Sequence, residues 1–410
     1  MSKKPNILVI SKVLPFPGES GQQMRIRYML ESLKKEFNIT FLTTAQISDL
    51  ESIKDELKNF VNKSIVLPTL YNSIYFKIVY KVKGYFWTLW TGLKMSNYII
   101  GELDITDNRI EKILEHREID IVLYEYWHAH KTITYFKKRG IPTILDMHNI
   151  LWQSYKRQLR SIKWLPKFLF FRILKRYKDQ EENIWKKFDG LIAINKTEFN
   201  YIKNVINKRT SITLIPMGID LSKWNIDRKT VKPHRVGYYG GLGSIHNQND
   251  ALKCYYEIMP SVWERYPETE LWIIGSQPPN KILKLQNLDS RVNVTGFVDK
   301  VQDVLQTMTI MILPWEGTYG FRSRIVEMMA IGLPVITSSD AIEGMGISEE
   351  DGVFCAQSIN QYVNKIINIL SRETGDSHST NRGKKIKGID RYDVKHTYGH
   401  LSTFVNSIFN

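Results

Sequence analysis

Short apolar runs recur along the chain, and most are followed by a polar or glycine-bearing loop and a stretch of helical spacing. In the first half, residues 6–11, 37–43, 64–67, 119–124, 142–146 and 191–195 read as strands. In the second half the same holds for 235–241, 270–275, 292–298, 308–314 and 334–337. Between them, apolar residues recur every three or four positions over 24–35, 251–265, 322–330, 359–371 and 392–409, which predicts helices. Pro260 predicts a kink in the second of these. Strands alternating with helices predict an α/β chain with parallel sheets.

The stretch from 308 to 337 shows the unit most plainly. A buried strand leads into a loop with Gly317 and Gly320. A helix then starts near Arg322 and is stopped by Gly332 and Pro334, before the next strand opens. Such a unit sets loop N–H groups and a helix N-terminus at the carboxyl edge of a parallel sheet, where an anion fits. Arg322 and Arg324 stand at the helix start, where the dipole offers a cation nothing. They serve a multiply charged ligand such as a pyrophosphate, or they are two solvated surface arginines; spacing alone leaves both open.

The N-terminal half opens in the same way. A strand, a turn-rich loop with Pro15, Pro17, Gly18 and Gly21, and a helix follow each other. Further on, the run 119–124 ends in Glu125-Tyr-Trp-His128-Ala-His130. The run 142–146 ends in Met147-His148-Asn149. Two consecutive strands thus bring histidines and carboxylates to one sheet edge, where α/β sites form. His148 can be a capping or core histidine as well as a functional one. His128 and His130 with Asp146 lack the spacing of a further ligand, so no metal site is expected.

Composition widens the picture. The 410 residues suggest two or three domains, and 43% hydrophobic content suffices for ordinary cores. Lys plus Arg is 57 against 42 Asp plus Glu, a net charge of +15, which favours polyanionic partners. Two cysteines without metal spacing point to a reducing, cytoplasmic setting. The N-terminus shows no secretory leader, and no apolar run reaches membrane-spanning length. Two segments nevertheless suit a membrane surface. Residues 71–100 interleave Tyr75, Phe76, Phe86 and Trp87 with Lys77, Lys81 and Lys83, though a helical pair whose aromatic stripe packs on the core is the simpler reading. Residues 156–178 carry nine basic and no acidic side chains among Trp164, Phe168, Phe170 and Phe171. That composition predicts attraction to an anionic leaflet. A nucleic-acid patch is disfavoured, because no nucleic-acid module accompanies it.

The run Gly320-Phe-Arg-Ser-Arg-Ile-Val-Glu327-Met-Met-Ala-Ile-Gly-Leu-Pro-Val resembles the signature of family 4 glycosyltransferases. It is most similar to the branch whose signature runs Gly-x-Arg-x-Lys-Ile-x-Glu. The resemblance implies the GT-B fold: two Rossmann-like domains with parallel sheets facing a cleft and a C-terminal helix crossing back. The boundaries it suggests are 1–222 for the acceptor side, 223–385 for the sugar-nucleotide side and 386–410 for the returning helix. It implies that Glu327 holds the ribose hydroxyls and that Arg322 and Arg324 meet the diphosphate and act in catalysis. Where many members carry a second Glu that contacts the donor sugar, this chain has Tyr319. Gly320, Phe321, Gly240, Gly241 and Phe297 complete the donor-binding set, and His148 takes the place of a catalytic histidine near the reacting carbon. Gly21 and Arg25 lie on the acceptor-side loop; for Arg25 a surface arginine is the simpler reading. Ile-Pro-Met-Gly-Ile-Asp, ending at Asp220, is similar to the family's hinge, with Met217 in place of Asn.

The function so implied is transfer of a sugar from a nucleotide-sugar donor to a hydroxyl of a glycan or lipid-linked sugar, with retention of configuration. No cofactor and no metal are expected, and no Asp-x-Asp motif is present. The expected partners are the donor, that acceptor and an anionic membrane surface, with no nucleic acid. The expected location is the cytoplasm, or the inner face of the cell membrane as a peripheral protein. The rivals are a sugar-nucleotide 2-epimerase, which needs no acceptor, and a non-catalytic nucleotide-sugar-binding module.

Overall fold

A computed structural model describes residues 3–18, 20–70, 73–91, 104–115, 117–127, 129–160, 162, 164–224, 231–317, 321–373 and 388–409. The chain divides into two compact units, Met1–Met217 with Lys395–Asn410, and Gly218–Val394.

The first unit is built on a seven-stranded sheet of β1 (Asn6–Ile10), β2 (Asn38–Ala45), β3 (Lys63–Pro68), β4 (Ile121–Glu125), β5 (Thr143–Asp146), β6 (Gly190–Ala193) and β7 (Ser211–Leu214). Their order is β3-β2-β1-β4-β5-β6-β7, and every pairing is parallel. The central strands are buried on both faces, which is why they appear in the sequence as unbroken apolar runs without alternation. Strand order reverses at β1, so the carboxyl ends of β1 and β4 border the crevice where such sheets bind ligands.

The second unit holds β8 (Arg235–Tyr239), β9 (Glu270–Ile274), β10 (Val292–Gly296), β11 (Ile310–Leu313), β12 (Val335–Thr337) and β13 (Val353–Cys355). They run in the order β10-β9-β8-β11-β12-β13, again all parallel, and the reversal lies between β8 and β11. Two parallel-sheet Rossmann-like units of this kind make the GT-B fold. Gly275, just after β9, is required by close approach: a Cβ there would meet the Gly240 carbonyl oxygen at 1.8 Å.

Two helices differ from their sequence expectation. The stretch expected as one kinked helix starts earlier, as Ile245–Lys253, passes through a π turn at Cys254–Ile258 and continues as Met259–Arg265. The wider turn ends where Pro260 occupies the first turn of the next segment, a place at which its missing N–H is not needed. The expected helix over 392–409 is broken into Val394–Thr397 and Leu401–Phe409 around Gly399. The buried Tyr398 ring packs 6.1 Å from that of Tyr28, and Ser32 donates its hydroxyl hydrogen to the Tyr398 carbonyl at 3.0 Å. Leu401–Phe409 lies against β6 at Gly190, where a Cβ would crowd Phe404 at 3.2 Å and Ile408 at 3.3 Å.

The basic stretch 156–178 belongs to two helices, Leu151–Arg160 and Lys167–Trp185, whose Tyr155 and Tyr177 rings stack at 4.2 Å. Leu159, Ile173, Leu174 and Tyr177 enter the core, while Trp164, Phe168 and Phe171 stay exposed. Of the aromatic stretch 71–100, the described part is mostly the helix Ile74–Thr91; Tyr75, Tyr85 and Phe86 on it are exposed rather than packed on the core. Among the described residues no helix is long and apolar enough to cross a membrane.

Candidate functional site

In the first unit, three elements bring charge to the carboxyl edge of the sheet. β4 ends at Glu125 and β5 at Asp146, and the two are partners in the parallel register. Residues in register on adjacent parallel strands point to the same face about 4.8 Å apart, so the strand pairing itself sets the two carboxyls side by side. His148, two positions beyond Asp146, returns to that neighbourhood: its Nε2 lies 2.8 Å from Glu125 Oε2 and 3.4 Å from Asp146 Oδ2. The Tyr126 ring stacks on the imidazole at 4.0 Å.

The helix Gly21–Leu33 supplies the counter-charge. Ser20 caps it and takes the Gln23 N–H, and Gly21 opens its first turn beside the Met217 sulfur. Arg25, one turn in, is 1% exposed, so it is not a surface residue. Its Nε donates to Asp146 Oδ2 at 2.6 Å, its Nη2 to Oδ1 at 2.5 Å and its Nη1 to the Ile215 carbonyl at 3.0 Å. Burial works against ionising Asp146, but the Arg25 charge and hydrogen bonds outweigh it and hold the carboxyl below its ordinary range. Burial and the neighbouring Asp146 charge push Glu125 well above that range. Burial lowers His148 to about 3. Arg25 and Asp146 therefore form the ion pair of the cluster, while burial favours the uncharged forms of Glu125 and His148.

Glu125, Asp146 and His148 offer oxygen and nitrogen atoms within 4.8 Å of one another. Arg25 already occupies both Asp146 oxygens, so a cation there would face a buried guanidinium. His130 is turned to its own loop, where Nδ1 meets the Trp127 carbonyl at 3.0 Å; His128 lies outside the described residues. Glu181 on Lys167–Trp185 accepts the N–H groups of Leu151 at 2.9 Å and Trp152 at 2.6 Å. It thereby caps the helix that follows His148.

In the second unit, the ends of β8 and β11 approach the start of the helix Ser323–Ala330. Among the described residues no side chain caps that helix; the Ile325 N–H turns back to the Arg322 carbonyl at 3.0 Å, and the N–H groups of Ser323 and Arg324 ahead of it are open to a ligand or to water. Arg322 lies with its guanidinium 4.9 Å from the Trp315 ring centroid, and Arg324 stands 5.0 Å from that of Tyr239. Gly241 follows β8 closely enough that a Cβ there would lie 3.7 Å from the Arg324 guanidinium. Loss of water and the second arginine lower Arg322 to about 10, against the pull of Asp250. Burial raises Asp250 to about 7. Glu327, one turn into the helix, is half-buried and raised to about 7 by desolvation, with Arg324 opposing. Its Oε2 has no hydrogen-bond partner among the described residues.

The structure thus gathers Arg322, Arg324, Glu327, Gly240 and Gly241 at one sheet edge, and Arg25 and His148 at another. Phe321 packs 5.9 Å from the Tyr392 ring. Phe297, after the left-handed Gly296, is 67% exposed at the end of β10. Tyr319 and Gly320 lie outside the described residues. Sequence reasoning missed Tyr239, Asp250, Trp315 and the pairing of Glu125 with His148. Tyr239 and Glu125 carried a readable signal, since each closes a strand next to the point of reversal.

Three solved structures share the whole fold. Sucrose-phosphate synthase from Thermosynechococcus elongatus superposes with a TM-score of 0.67 at 15% identity, over 99% of each chain. Anabaena HepE, solved with UDP and glucose, gives 0.62 at 14% identity over 98% of this chain and 100% of that one. TarM gives 0.67 at 11% identity over 100% and 99%. No curated protein matches the sequence itself. Residues 234–372, which contain Gly240, Gly241, both arginines and Glu327, match the family described as Glycosyl transferases group 1, and the second unit carries that domain.

Proposed function

We propose that the protein is a retaining glycosyltransferase of family 4 that moves a sugar from a nucleotide-sugar donor to a hydroxyl of a glycan or lipid-linked acceptor. One observation carries this reading: two half-buried arginines, an uncapped helix start and the free Oε2 of Glu327 converge at the strand-order reversal of a glycosyl transferases group 1 domain. Arg322 and Arg324 hold the diphosphate, and Glu327 accepts hydrogen bonds from the ribose hydroxyls. As the bond from the anomeric carbon to the diphosphate breaks, negative charge gathers on the leaving oxygen. Fixed cations and aimed N–H groups stabilise that charge without reorganising. The acceptor oxygen takes the anomeric carbon, and its proton departs with the nucleoside diphosphate. His148 serves the reacting end of the donor sugar. HepE was solved with UDP-glucose and TarM with UDP, which supports a nucleotide sugar as the donor class. No metal is invoked, since the arginines supply the positive charge.

The test is incubation with a panel of nucleotide sugars, with and without hydroxyl acceptors. Transfer, or slow release of sugar and nucleoside diphosphate without acceptor, supports this reading. A new isomer of the donor supports a 2-epimerase, and binding without turnover supports a non-catalytic module. Within the transferase reading, His148→Ala lowers turnover far more than donor affinity. We further infer peripheral binding to anionic membranes at the inner face of the cell membrane, supported by the exposed aromatics beside basic residues on Lys167–Trp185.

A further inference from the structure

We propose that Asn247 and Gln248 are positioning residues for the donor site: their side-chain amides hold loop 240–244 in the shape in which its unspent N–H groups are offered to the diphosphate. The proposal rests on the reading of the second unit as a nucleotide-sugar site, and it adds what keeps that site formed before the donor arrives.

The sequence poses the problem. From 240 to 252 the chain carries no lysine and no arginine. The loop leaves β8 at the point of reversal, beside Arg324, and answers a diphosphate only with backbone N–H groups and the Ser244 hydroxyl. The value of such dipoles depends on where they point. Yet Gly240, Gly241 and Gly243 make three of the five loop residues glycine, the type that loses most freedom on being fixed. An unbraced loop of this kind is ordered by its ligand, and that ordering subtracts from affinity.

The structure shows how the loop is braced. The Gly240 N–H extends the β8–β9 ladder to the Ile274 carbonyl at 3.0 Å. The Leu242 N–H reaches the Ser276 carbonyl at 2.9 Å, and its side chain is fully buried in the core of the unit. The Ser244 N–H turns back to the Gly241 carbonyl at 3.3 Å. The helix Ile245–Lys253 then supplies two side chains to the loop's own carbonyls. Asn247 Nδ2 donates to the Gly241 carbonyl and Gln248 Nε2 to the Leu242 carbonyl, each at 2.8 Å. The partners fix the orientation of both amides, since a carbonyl oxygen only accepts and must be met by nitrogen. Neither amide has another hydrogen bond among the described residues, so each serves the loop alone. With these carbonyls tied back to the helix, the N–H groups of Gly241 and Gly243 are the ones without a partner among the described residues. Gly241 borders the Arg324 guanidinium, and Gly243 borders Gln277, whose Oε1 would lie 2.5 Å from a Cβ placed there. The loop thus reaches the arginines with its backbone donors unspent and its shape already fixed.

The test compares ligands with and without the diphosphate. Full-length wild type, Asn247→Ala, Gln248→Ala and the double variant are titrated with UDP, GDP and ADP by calorimetry. The same proteins meet uridine, guanosine and adenosine in ligand-observed NMR, which reads weak binding. Each single change is expected to raise Kd for the bound nucleoside diphosphate roughly three- to tenfold, the worth of one lost hydrogen bond, and the double change by more. Nucleoside binding is expected to stay within about twofold of wild type, because the nucleoside lacks the group the loop serves. Hydrogen exchange of the ligand-free variants is expected to quicken in the peptide spanning loop 240–244 and not in that spanning β11. An unchanged Kd in the folded double variant overturns the proposal. So does an equal loss for nucleoside and diphosphate, or faster exchange throughout the second unit, since either marks a structural role only. Arg324→Ala is measured in the same series. If it weakens diphosphate binding while the amide variants do not, the donor site stands and the brace fails. If it too leaves Kd unchanged, or the wild type binds none of the three diphosphates, the reading of the site fails and the proposal falls with it.

Discussion

Arg25 and Asp146, 121 positions apart, meet as a buried bidentate pair with contacts of 2.6 and 2.5 Å. The pair ties the first helix of the chain to the end of β5, and the third Arg25 contact reaches the residue after β7. Removing one member leaves an uncompensated charge out of water. Arg25→Ala is therefore expected to cost about 3–5 kcal/mol in denaturant unfolding. Replacing both partners, as in Arg25→Met with Asp146→Asn, is expected to cost less than the sum of the single changes. The pH dependence has a defined sign. Asp146 is held below its ordinary range, so its contribution is full above the usual carboxylate range. It is lost as pH falls through the depressed folded value. In Arg25→Ala that acid-side loss disappears. A cost well under 1 kcal/mol, or an unchanged acid limb, removes the pair as a support of the fold.

Arg322→Ala and Arg324→Ala each delete a charge-assisted contact to the proposed diphosphate, worth roughly 1.5–3 kcal/mol. Calorimetric titration with a nucleotide sugar is expected to show a tenfold or larger rise in Kd for each, about 1.4 kcal/mol per factor of ten. Both are half-buried against Trp315 and Tyr239, so unfolding is measured alongside. Unchanged affinity in both folded variants removes the phosphate-site assignment.

Much of this was legible in the sequence. Buried parallel strands write themselves as apolar runs, and eleven of the thirteen strands among the described residues stood out as such. The Ser211–Leu214 strand was absorbed into the segment around Pro216, and Val353–Cys355 is three residues long, too short for a period to show. The second-unit site was readable because Gly317, Arg322, Arg324 and Glu327 crowd into one local unit. The first-unit site was readable only in part. His148 and the carboxylates stood at strand ends, but Arg25 is joined to Asp146 by the tertiary fold alone, and its local sequence looks like that of a surface helix. The break at Gly399 was hidden because apolar spacing continues across it while the backbone does not.

Glu327 sets a pH dependence for donor binding. Desolvation raises it to about 7. Below that value it is an acid with one O–H; above it, a carboxylate that can accept from both ribose hydroxyls. Donor affinity is therefore expected to rise as pH rises through about 7 and then level off, and Glu327→Gln is expected to bind weakly with a flat profile. On folding the sign is opposite: a carboxyl raised in the folded state disfavours the folded form as pH climbs from its ordinary value towards 7. Glu327→Gln is thus expected to lose that part of the stability decline. A pH-independent wild-type Kd between about pH 5.5 and 8 would separate Glu327 from the donor.

The exposed side of the first unit leads to the last prediction. Ile173, Leu174 and Tyr177 anchor the Lys167–Trp185 helix in the core, so Trp164, Phe168 and Phe171, 74%, 74% and 65% exposed, are not needed to hold it in place. Arg172, Lys175 and Arg176 share the outer face with them. On Ile74–Thr91, Ile74, Tyr75, Ile78 and Tyr85 are exposed as well. Large aromatics held in water beside basic residues fit an anionic lipid surface, where charge attracts and the rings enter the headgroup boundary. Neither force suffices alone, since charge is screened within about 8 Å at physiological salt. Co-sedimentation with vesicles is the measurement. The wild type is expected to pellet with anionic and not with neutral vesicles. Reversing Arg172, Lys175 and Arg176 to Glu is expected to abolish binding, at about 1 kcal/mol for each basic residue lost and more for the repulsion added. Changing Trp164, Phe168 and Phe171 to Ser is expected to leave only weak binding that salt removes, with unfolding stability nearly unchanged. A wild type that ignores anionic vesicles at moderate salt ends the membrane reading and makes a soluble glycan the better acceptor.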